Sequence, residues 1–295
     1  MRLEAVTIIG AGPAGLAAAI QLKRYGIDAL LLEKHVVGGL LRNANLVENY
    51  PGFPGGIKGE DLARSFIDQA TRTGVQAAFE EVCQLDRIEG TFQLKTDKNI
   101  YHSRRVVVAS GTKPRRFQEF EIPQELSQQV FYEVYPLLKM KKKVIVVVGA
   151  GDAAFDYALN LARNNHVLIF NRGEDVKCLP LLWERARAES RISYFENTAV
   201  QEVSRTKKDE ILLKYRNPAE ESSIQVDYLV GAIGRDPQLD FFSEDIIKET
   251  ERLERDGFLH FVGDVRNDIY RQTSIAVGNG VLAAMKIYRR EVEDA

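Results

Sequence analysis

Gly10-Ala11-Gly12-Pro13-Ala14-Gly15 follows a run of apolar, mostly β-branched residues and has the spacing of a loop built to meet a phosphate. The first glycine makes a tight turn, and the second lets an anion reach the backbone. The third lets a helix pack closely on a strand, and the N-terminus of that helix faces negative charge. Glu33 closes the next apolar run, where a carboxylate hydrogen-bonds ribose hydroxyls. The device recurs at Gly149-Ala150-Gly151-Asp152-Ala153-Ala154, with alanine in the third glycine position, an allowed variant. No acid ends its second apolar run: Phe170-Asn171-Arg172 stands there, and Lys177 follows. Arginine and lysine attract the 2′-phosphate that an acid would repel, so NADPH is expected at this second loop, with NADH as the alternative.

These loops need strands and helices to hold them. Val6 to Lys34 and Ile145 to Arg172 read alike, each an apolar run, a glycine turn, a helix-period stretch and a second apolar run, so the chain holds a βαβ unit twice. Downstream of the first unit, Val75 to Phe79, Phe92 to Thr96 and Arg105 to Ala109 read as strands; downstream of the second, Ile192 to Phe195, Ile211 to Tyr215 and Tyr228 to Ile233 do. Both series end in Gly-x-x-Pro, at Gly111 with Pro114 and at Gly234 with Pro237, where the crossings between domains are expected. Phe258 to Val262 then reads as a strand and Thr273 to Arg290 as a long helix. The expected fold is α/β with two Rossmann-like dinucleotide-binding domains of three-layer ββα type. One domain (114–237) is inserted into a discontinuous first one (1–113 and 238–295).

At 295 residues the chain is long enough for two domains of roughly 150. Its 40 basic and 42 acidic side chains leave a net charge of −2, which argues against nucleic acid as a partner. No apolar run approaches the ~18 residues that span a membrane. Arg2 ahead of an apolar stretch imitates a signal peptide, but Glu4 interrupts it and the glycines have the better explanation above. Cys83 and Cys178 are the only cysteines, so neither a disulfide framework nor a metal site is expected and a cytoplasmic setting is.

On these residues the sequence resembles the thioredoxin reductase family of two-dinucleotide-fold flavoproteins, nearly end to end. The resemblance is carried by GAGPAGLAAA, by Val47-Glu48-Asn49-Tyr50-Pro51-Gly52, by Ala109-Ser110-Gly111, by Gly263-Asp264, by Ile269-Tyr270-Arg271-Gln272, and by Gly149 to Asp156. It implies FAD in the first domain. Gly10, Gly12, Pro13, Ala14, Gly15, Glu33 and Lys34 would hold pyrophosphate and ribose, and Val82 the adenine. Asp264 beside Gly263 would hold the ribityl chain, while Gly39, Leu40, Asn49, Ala109, Ser110, Gly111, Arg271, Gln272 and Thr273 complete the flavin site. The nicotinamide coenzyme would lie against Gly149, Gly151, Asp152, Ala153, Asn171, Arg172, Lys177 and Gly234. A homodimer is expected on the same ground.

The departures shape the functional expectation. The family carries a Cys-x-x-Cys-Asp before its second glycine loop; counting back from Val144, those positions hold Phe131, Tyr132, Glu133, Val134 and Tyr135. Leu40 replaces a usual glutamine and Arg235 a common histidine. Without the sulfurs no mixed disulfide forms on this segment, so an ordinary thioredoxin reductase is not expected. Hydride transfer from NADPH to FAD survives this loss, because it needs alignment and no acid or base; no catalytic side chain is therefore assigned. The similarity to ferredoxin or flavodoxin NADP reductases of thioredoxin-reductase type implies an acidic protein carrier or a small molecule as acceptor. Those relatives carry a longer C-terminal extension over the flavin, whereas this sequence ends at Ala295, so a more open flavin face is expected. Lys139, Lys141, Lys142, Lys143, Arg115 and Arg116 are the residues that would steer an acidic carrier. Two other readings stay open: a disulfide reductase using a partner's or a non-standard cysteine, and an FAD-binding redox protein without a productive nicotinamide site.

Overall fold

The computed structural model describes residues 3–293. It divides into two compact units, the first made of residues up to Arg42, Val47–Lys113 and the chain from Asp236 onward, the second of Asn43–Leu46 and Pro114–Arg235. The chain begins with β1 (Leu3–Ile9), α1 (Pro13–Arg24), β2 (Ala29–Glu33), α2 (Gly59–Arg72), β3 (Ala77–Phe79), β4 (Val82–Ile88), β5 (Thr91–Thr96), β6 (Ile100–Val108) and β7 (Thr112–Pro114). It continues through β8 (Val130–Phe131), β9 (Val144–Val148), α3 (Asp152–Ala162), β10 (His166–Phe170), α4 (Pro180–Ala188), β11 (Ile192–Phe195), β12 (Ala199–Arg205), β13 (Ile211–Arg216), β14 (Glu221–Val226) and β15 (Tyr228–Gly231). It ends with β16 (Arg235–Pro237), α5 (Glu244–Arg255), β17 (Leu259–Phe261) and α6 (Thr273–Glu293).

In the first unit β3, β2, β1 and β6 lie parallel in that order; β17 pairs in parallel with the end of β6, and β5 and β4 add an antiparallel meander at its beginning. Strand alternation sorts the side chains to the two faces. Val6, Ile8 and Val107 pack under α1 and α6, while Ile9, Val106 and Val108 meet Leu85, Phe92 and Leu94 of the meander and Ile246 and Leu253 of α5. Phe92, Leu85 and Leu94 are fully buried, and each such side chain contributes about 1.5–3 kcal/mol of transfer free energy. Ser243 caps α5, its Oγ accepting from the Ile246 amide at 3.3 Å ahead of Glu244 and Asp245 in the first turn.

The second unit repeats the plan. A parallel sheet β11-β10-β9-β15-β8 carries Ile145 and Val147 toward α3 and α4, and Val146 and Phe170 toward the antiparallel meander β12-β13-β14. Both units are thus helix, parallel sheet and antiparallel meander, the three-layer arrangement expected from the duplicated βαβ pattern. The strands expected at Val75 and at Tyr228 to Ile233 are shorter, beginning at Ala77 and ending at Gly231. No helix of the described residues is long and apolar enough to cross a membrane.

Candidate functional site

The duplication extends to single hydrogen bonds. Gly10 N donates to Leu32 O at 2.8 Å, and Gly149 N to Phe170 O at 3.0 Å; Ala109 N donates to Ile9 O, and Ala232 N to Val148 O, both at 2.8 Å. Each glycine loop is therefore pinned between the C-terminal ends of three parallel strands, the edge of an open α/β sheet where ligands bind. A Cβ on Gly10 (φ +102°) would stand 2.4 Å from Ala109 O, and one on Gly149 (φ +145°) 2.3 Å from Ala232 O. At Gly12 and Gly151 a Cβ would meet nothing within 4 Å, so the middle glycine of each loop faces open space. That is the shape of a backbone cradle for pyrophosphate ahead of α1 and α3.

The third positions differ. A Cβ on Gly15 would lie 1.9 Å from Gly10 O, whereas Ala154 sits fully buried in the second unit. On its other side α1 is approached by α6, where a Cβ on Gly280 would lie 2.1 Å from Ala14 O, and by Gly263, whose Cβ would come within 2.9 Å of the Ala14 Cβ. Pro13 starts α1 without a side-chain cap. Gly39 (φ +56°) places a Cβ direction 3.1 Å from Gly12 Cα, opening a short 3-10 turn that includes Leu40.

Glu33 is the polar centre of the first cradle. Its Oε2 accepts from Ala11 N at 2.8 Å and its Oε1 from His35 N at 2.9 Å and Val36 N at 3.1 Å. A carboxylate offers about four acceptor positions, so one remains for a ribose hydroxyl, which fits the adenosine half of FAD. Lys34 faces Glu81 at 3.9 Å, and Glu80 N donates to Glu33 O at 3.0 Å, which brings Val82 to the same end of the sheet. Asn49 Nδ2 donates to Gln272 Oε1 at 2.8 Å, joining two residues expected at the flavin although 223 positions separate them. Thr273 opens α6 right after Gln272 and Arg271, Asp264 follows Gly263 in a 3-10 turn, and Ser110 Oγ donates to Gln238 O at 2.7 Å beside Gly111 (φ +66°).

Asn171 occupies the place of Glu33 in the second cradle, and like Glu33 it is buried and bonded within its own loop. Its Nδ2 donates to Asp175 O at 3.1 Å and to Tyr194 Oη at 2.9 Å, and its Oδ1 accepts from Gly173 N at 3.1 Å. Asn171 thus shapes the loop, and the cation next to it points out: Arg172 is 81% exposed and its Nη1 lies 3.1 Å from Glu119 Oε1. Lys177 N donates to Ala150 O at 2.9 Å, and Asp152 Oδ1 accepts from Leu179 N at 2.7 Å, so this loop folds back on the start of α3 next to Ala153. Gly234 (φ +110°) accepts from Arg115 N at 3.0 Å. Sequence reasoning missed Glu119 altogether, since nothing in its local sequence marks it as a partner of Arg172.

The segment Phe131 to Tyr135, which the sequence reading sets against the family's cysteine motif, packs on the second unit with Val134 in its core and the rest half-buried. The ring of Phe131 in β8 lies edge-on to Tyr228, and Val134 is fully buried, with its amide and that of Tyr135 donating to Asn43 Oδ1 at 3.1 and 2.9 Å. Tyr132 Oη accepts from Phe117 N at 3.2 Å beneath the Arg116 guanidinium, and Glu133 pairs with Arg235 at 3.4 Å. Of the basic run, Lys143 is held by Asp227 at 2.7 Å, which keeps its ammonium above the usual lysine range; Lys139, Lys141 and Lys142 are exposed. Cys83 is exposed and Cys178 half-buried, both unbridged. Burial, with the Asp152 carboxylate adding to it, pushes the Cys178 thiol up, which disfavours the reactive thiolate. Asp156 of α3 accepts from Asn45 N at 2.9 Å, and burial pushes its carboxyl up to about 6.

Two three-layer units, each closing a phosphate-shaped glycine loop, define a two-dinucleotide-fold oxidoreductase. The pyridine nucleotide-disulphide oxidoreductase family profile matches residues 4–280, and the chain belongs to that family. It is 32% identical over 304 residues to a thioredoxin reductase of Streptomyces coelicolor, covering 95% of this chain and 91% of that one. It is 30% identical over 312 residues to the NADPH-dependent thioredoxin reductase 3 of Arabidopsis thaliana, where 97% of this chain spans 58% of the relative. The crystal structure of Lactococcus lactis thioredoxin reductase in its FR conformation superposes with a TM-score of 0.85 at 27% identity, covering 98% of this chain and 99% of that one. The protein is accordingly an FAD-dependent NAD(P)H oxidoreductase, with FAD and NADPH as its cofactors.

Proposed function

We propose that this oxidoreductase passes electrons from NADPH to an acceptor that brings its own redox centre, rather than to a dithiol within its own chain. The observation that carries this reading is the packing of the replaced segment: Val134 is buried in hydrophobic core and half-buried Phe131 packs against that core, where the family pattern has sulfur. When bound, FAD supplies the chemistry, taking a hydride from nicotinamide and releasing electrons singly or in pairs. The residues of this chain hold and orient. Gly10, Gly12 and the N-terminus of α1 receive the FAD pyrophosphate, Glu33 the ribose through its remaining acceptor position, Val82 the adenine and Asp264 the ribityl chain. Asn49 and Gln272, already bonded to each other, serve the flavin end as one unit. Gly149, Gly151 and the N-terminus of α3 receive the coenzyme pyrophosphate, and Arg172 with Lys177 its 2′-phosphate. The FAD-binding domain is read as 1–113 with 238–295, and the coenzyme domain as 114–237.

The acceptor class that fits is an acidic protein carrier of ferredoxin or flavodoxin type, or a small molecule. Lys139, Lys141, Lys142 and Arg116 supply the positive surface, and a homodimer in the cytoplasm is the expected working form. Anaerobic titration with NADPH tests the first half: the long-wavelength flavin band should bleach, and a flavin that stays oxidised would reduce the protein to an FAD carrier. The double variant Cys83→Ser with Cys178→Ser tests the second half. Transfer from NADPH to an artificial acceptor and to ferredoxin should persist within about two-fold, whereas its loss would restore a cysteine-based disulfide reductase.

A further inference from the structure

The loop after β10 carries one exposed arginine where the 2′-phosphate of NADPH is expected, and that arginine is engaged. Arg172 Nη1 lies 3.1 Å from Oε1 of Glu119, which comes from the stretch between β7 and β8, 53 positions earlier in the chain. Glu119 is itself exposed, and its Oε2 also accepts from the neighbouring Gln118 N at 3.1 Å. Backbone amides, with Arg172 adding to them, hold its carboxyl below the usual range, so it is anionic at neutral pH. Glu174 and Asp175, both exposed, follow Arg172 in the same loop.

We propose that Glu119 is a specificity-determining residue for the coenzyme, setting the ratio of NADPH to NADH binding by neutralising Arg172. The inference rests on the reading of Arg172 as the 2′-phosphate partner. A 2′-phosphate arriving at Arg172 has to displace or face the Glu119 carboxylate, an anion against an anion. The 2′-hydroxyl of NADH meets no such repulsion, and a carboxylate is the group that accepts a hydrogen bond from it in NAD-binding folds. The sequence at the end of β10 lacks that carboxylate; the fold brings one in from elsewhere in the second unit. Both effects act in one direction, lowering the preference for the phosphorylated coenzyme that Arg172 alone would impose.

The test is calorimetric binding of NADP⁺ and NAD⁺ to the FAD-loaded protein, with 2′,5′-ADP and 5′-AMP as fragment probes. Glu119→Gln should shift the affinity ratio toward NADP⁺ by about five-fold, the scale of one exposed charge pair, and the shift should shrink as salt is raised. Glu119→Asp, which keeps the charge, should stay near the wild-type ratio. Arg172→Gln should weaken NADP⁺ more than NAD⁺. If Arg172→Gln does so but Glu119→Gln leaves the ratio unchanged, or moves both coenzymes equally, the role given to Glu119 is wrong. If neither variant moves the ratio, the assignment of Arg172 itself fails and takes this inference with it.

Discussion

Replacing Gly15 by alanine is a one-carbon change with a large expected cost. The new Cβ would stand 1.9 Å from Gly10 O, against roughly 3.3 Å for the closest favourable C–H···O contact, so α1 would have to withdraw by about 1.4 Å. It has little room to withdraw, because Gly280 of α6 already approaches Ala14 O from the other side. Overpacking of this kind costs about 1–3 kcal/mol, and with both faces blocked the upper end applies. The gain of about 1 kcal/mol in helix propensity does not offset it, since Gly15 lies in the first turn. A loss near 3 kcal/mol lowers the melting temperature of a unit of this size by about 6–12 °C. Differential scanning calorimetry on the apoprotein, with flavin content of the purified holoprotein as a second readout, measures it. The matched control is Ala154→Gly in the second loop, expected to cost only about 1 kcal/mol. A Gly15→Ala protein that melts within about 2 °C of wild type and retains full FAD would refute the argument from close approach.

Other outcomes follow from the same structure. Glu33→Gln leaves three backbone amides with one fewer anionic partner; it should lower stability by about 1–3 kcal/mol and release FAD during gel filtration. Phe131→Cys combined with Val134→Cys restores the family's sulfur spacing, yet the thiols would replace the fully buried Val134 and the half-buried Phe131 ring packed on the same core, so about 2–4 kcal/mol of stability should go and thioredoxin reduction should not appear in an insulin-precipitation assay. Asp156, pushed up to about 6 from an ordinary 3.8, is protonated more readily in the folded protein than in the unfolded one. The second unit should therefore lose up to about 3 kcal/mol as pH rises from 4 to 6, and Asp156→Asn should abolish that slope in pH-dependent melting. His260 behaves oppositely: burial, with Lys286, Arg105 and Arg290 nearby, pulls it down to about 4 from 6.5, so its stabilisation is complete above pH 6.5 and fades toward pH 4. His260→Gln should flatten the first unit's acid limb.

The parts of this molecule that follow from local chemistry were legible in the sequence. The glycine loops, the duplicated βαβ units and the helix from Thr273 announce themselves through spacing and periodicity. The meander strands β4, β12 and β14 did not, because CQLDRI or ESSIQV mixes polar and apolar residues without a clean alternation. α5 has a serine cap and an acidic first turn, helix-start signals that the sequence does carry. Contacts that join distant positions stayed hidden: Glu119 with Arg172, Lys143 with Asp227, and the approach of Gly280 to α1. Asn171 reads as a nucleotide contact from its place in the loop, and only the fold shows that its side chain also bonds Asp175, Tyr194 and Gly173.

The position of α1 between Gly10 and Gly280 bears on how the polypeptide matures as it leaves the ribosome. All strands of the second unit's two sheets come from a single stretch, Val130 to Gly231, and are on hand once β15 has been translated. The first unit must wait, because β17 has yet to join β6 and α6 has yet to cover α1. The N-terminal glycine loop is among the earliest residues made and among the last to gain its full surroundings. A nascent chain arrested before α6 should hold a closed second unit while the first glycine loop is still unfinished, and flavin loading at that loop is expected to come late in biogenesis.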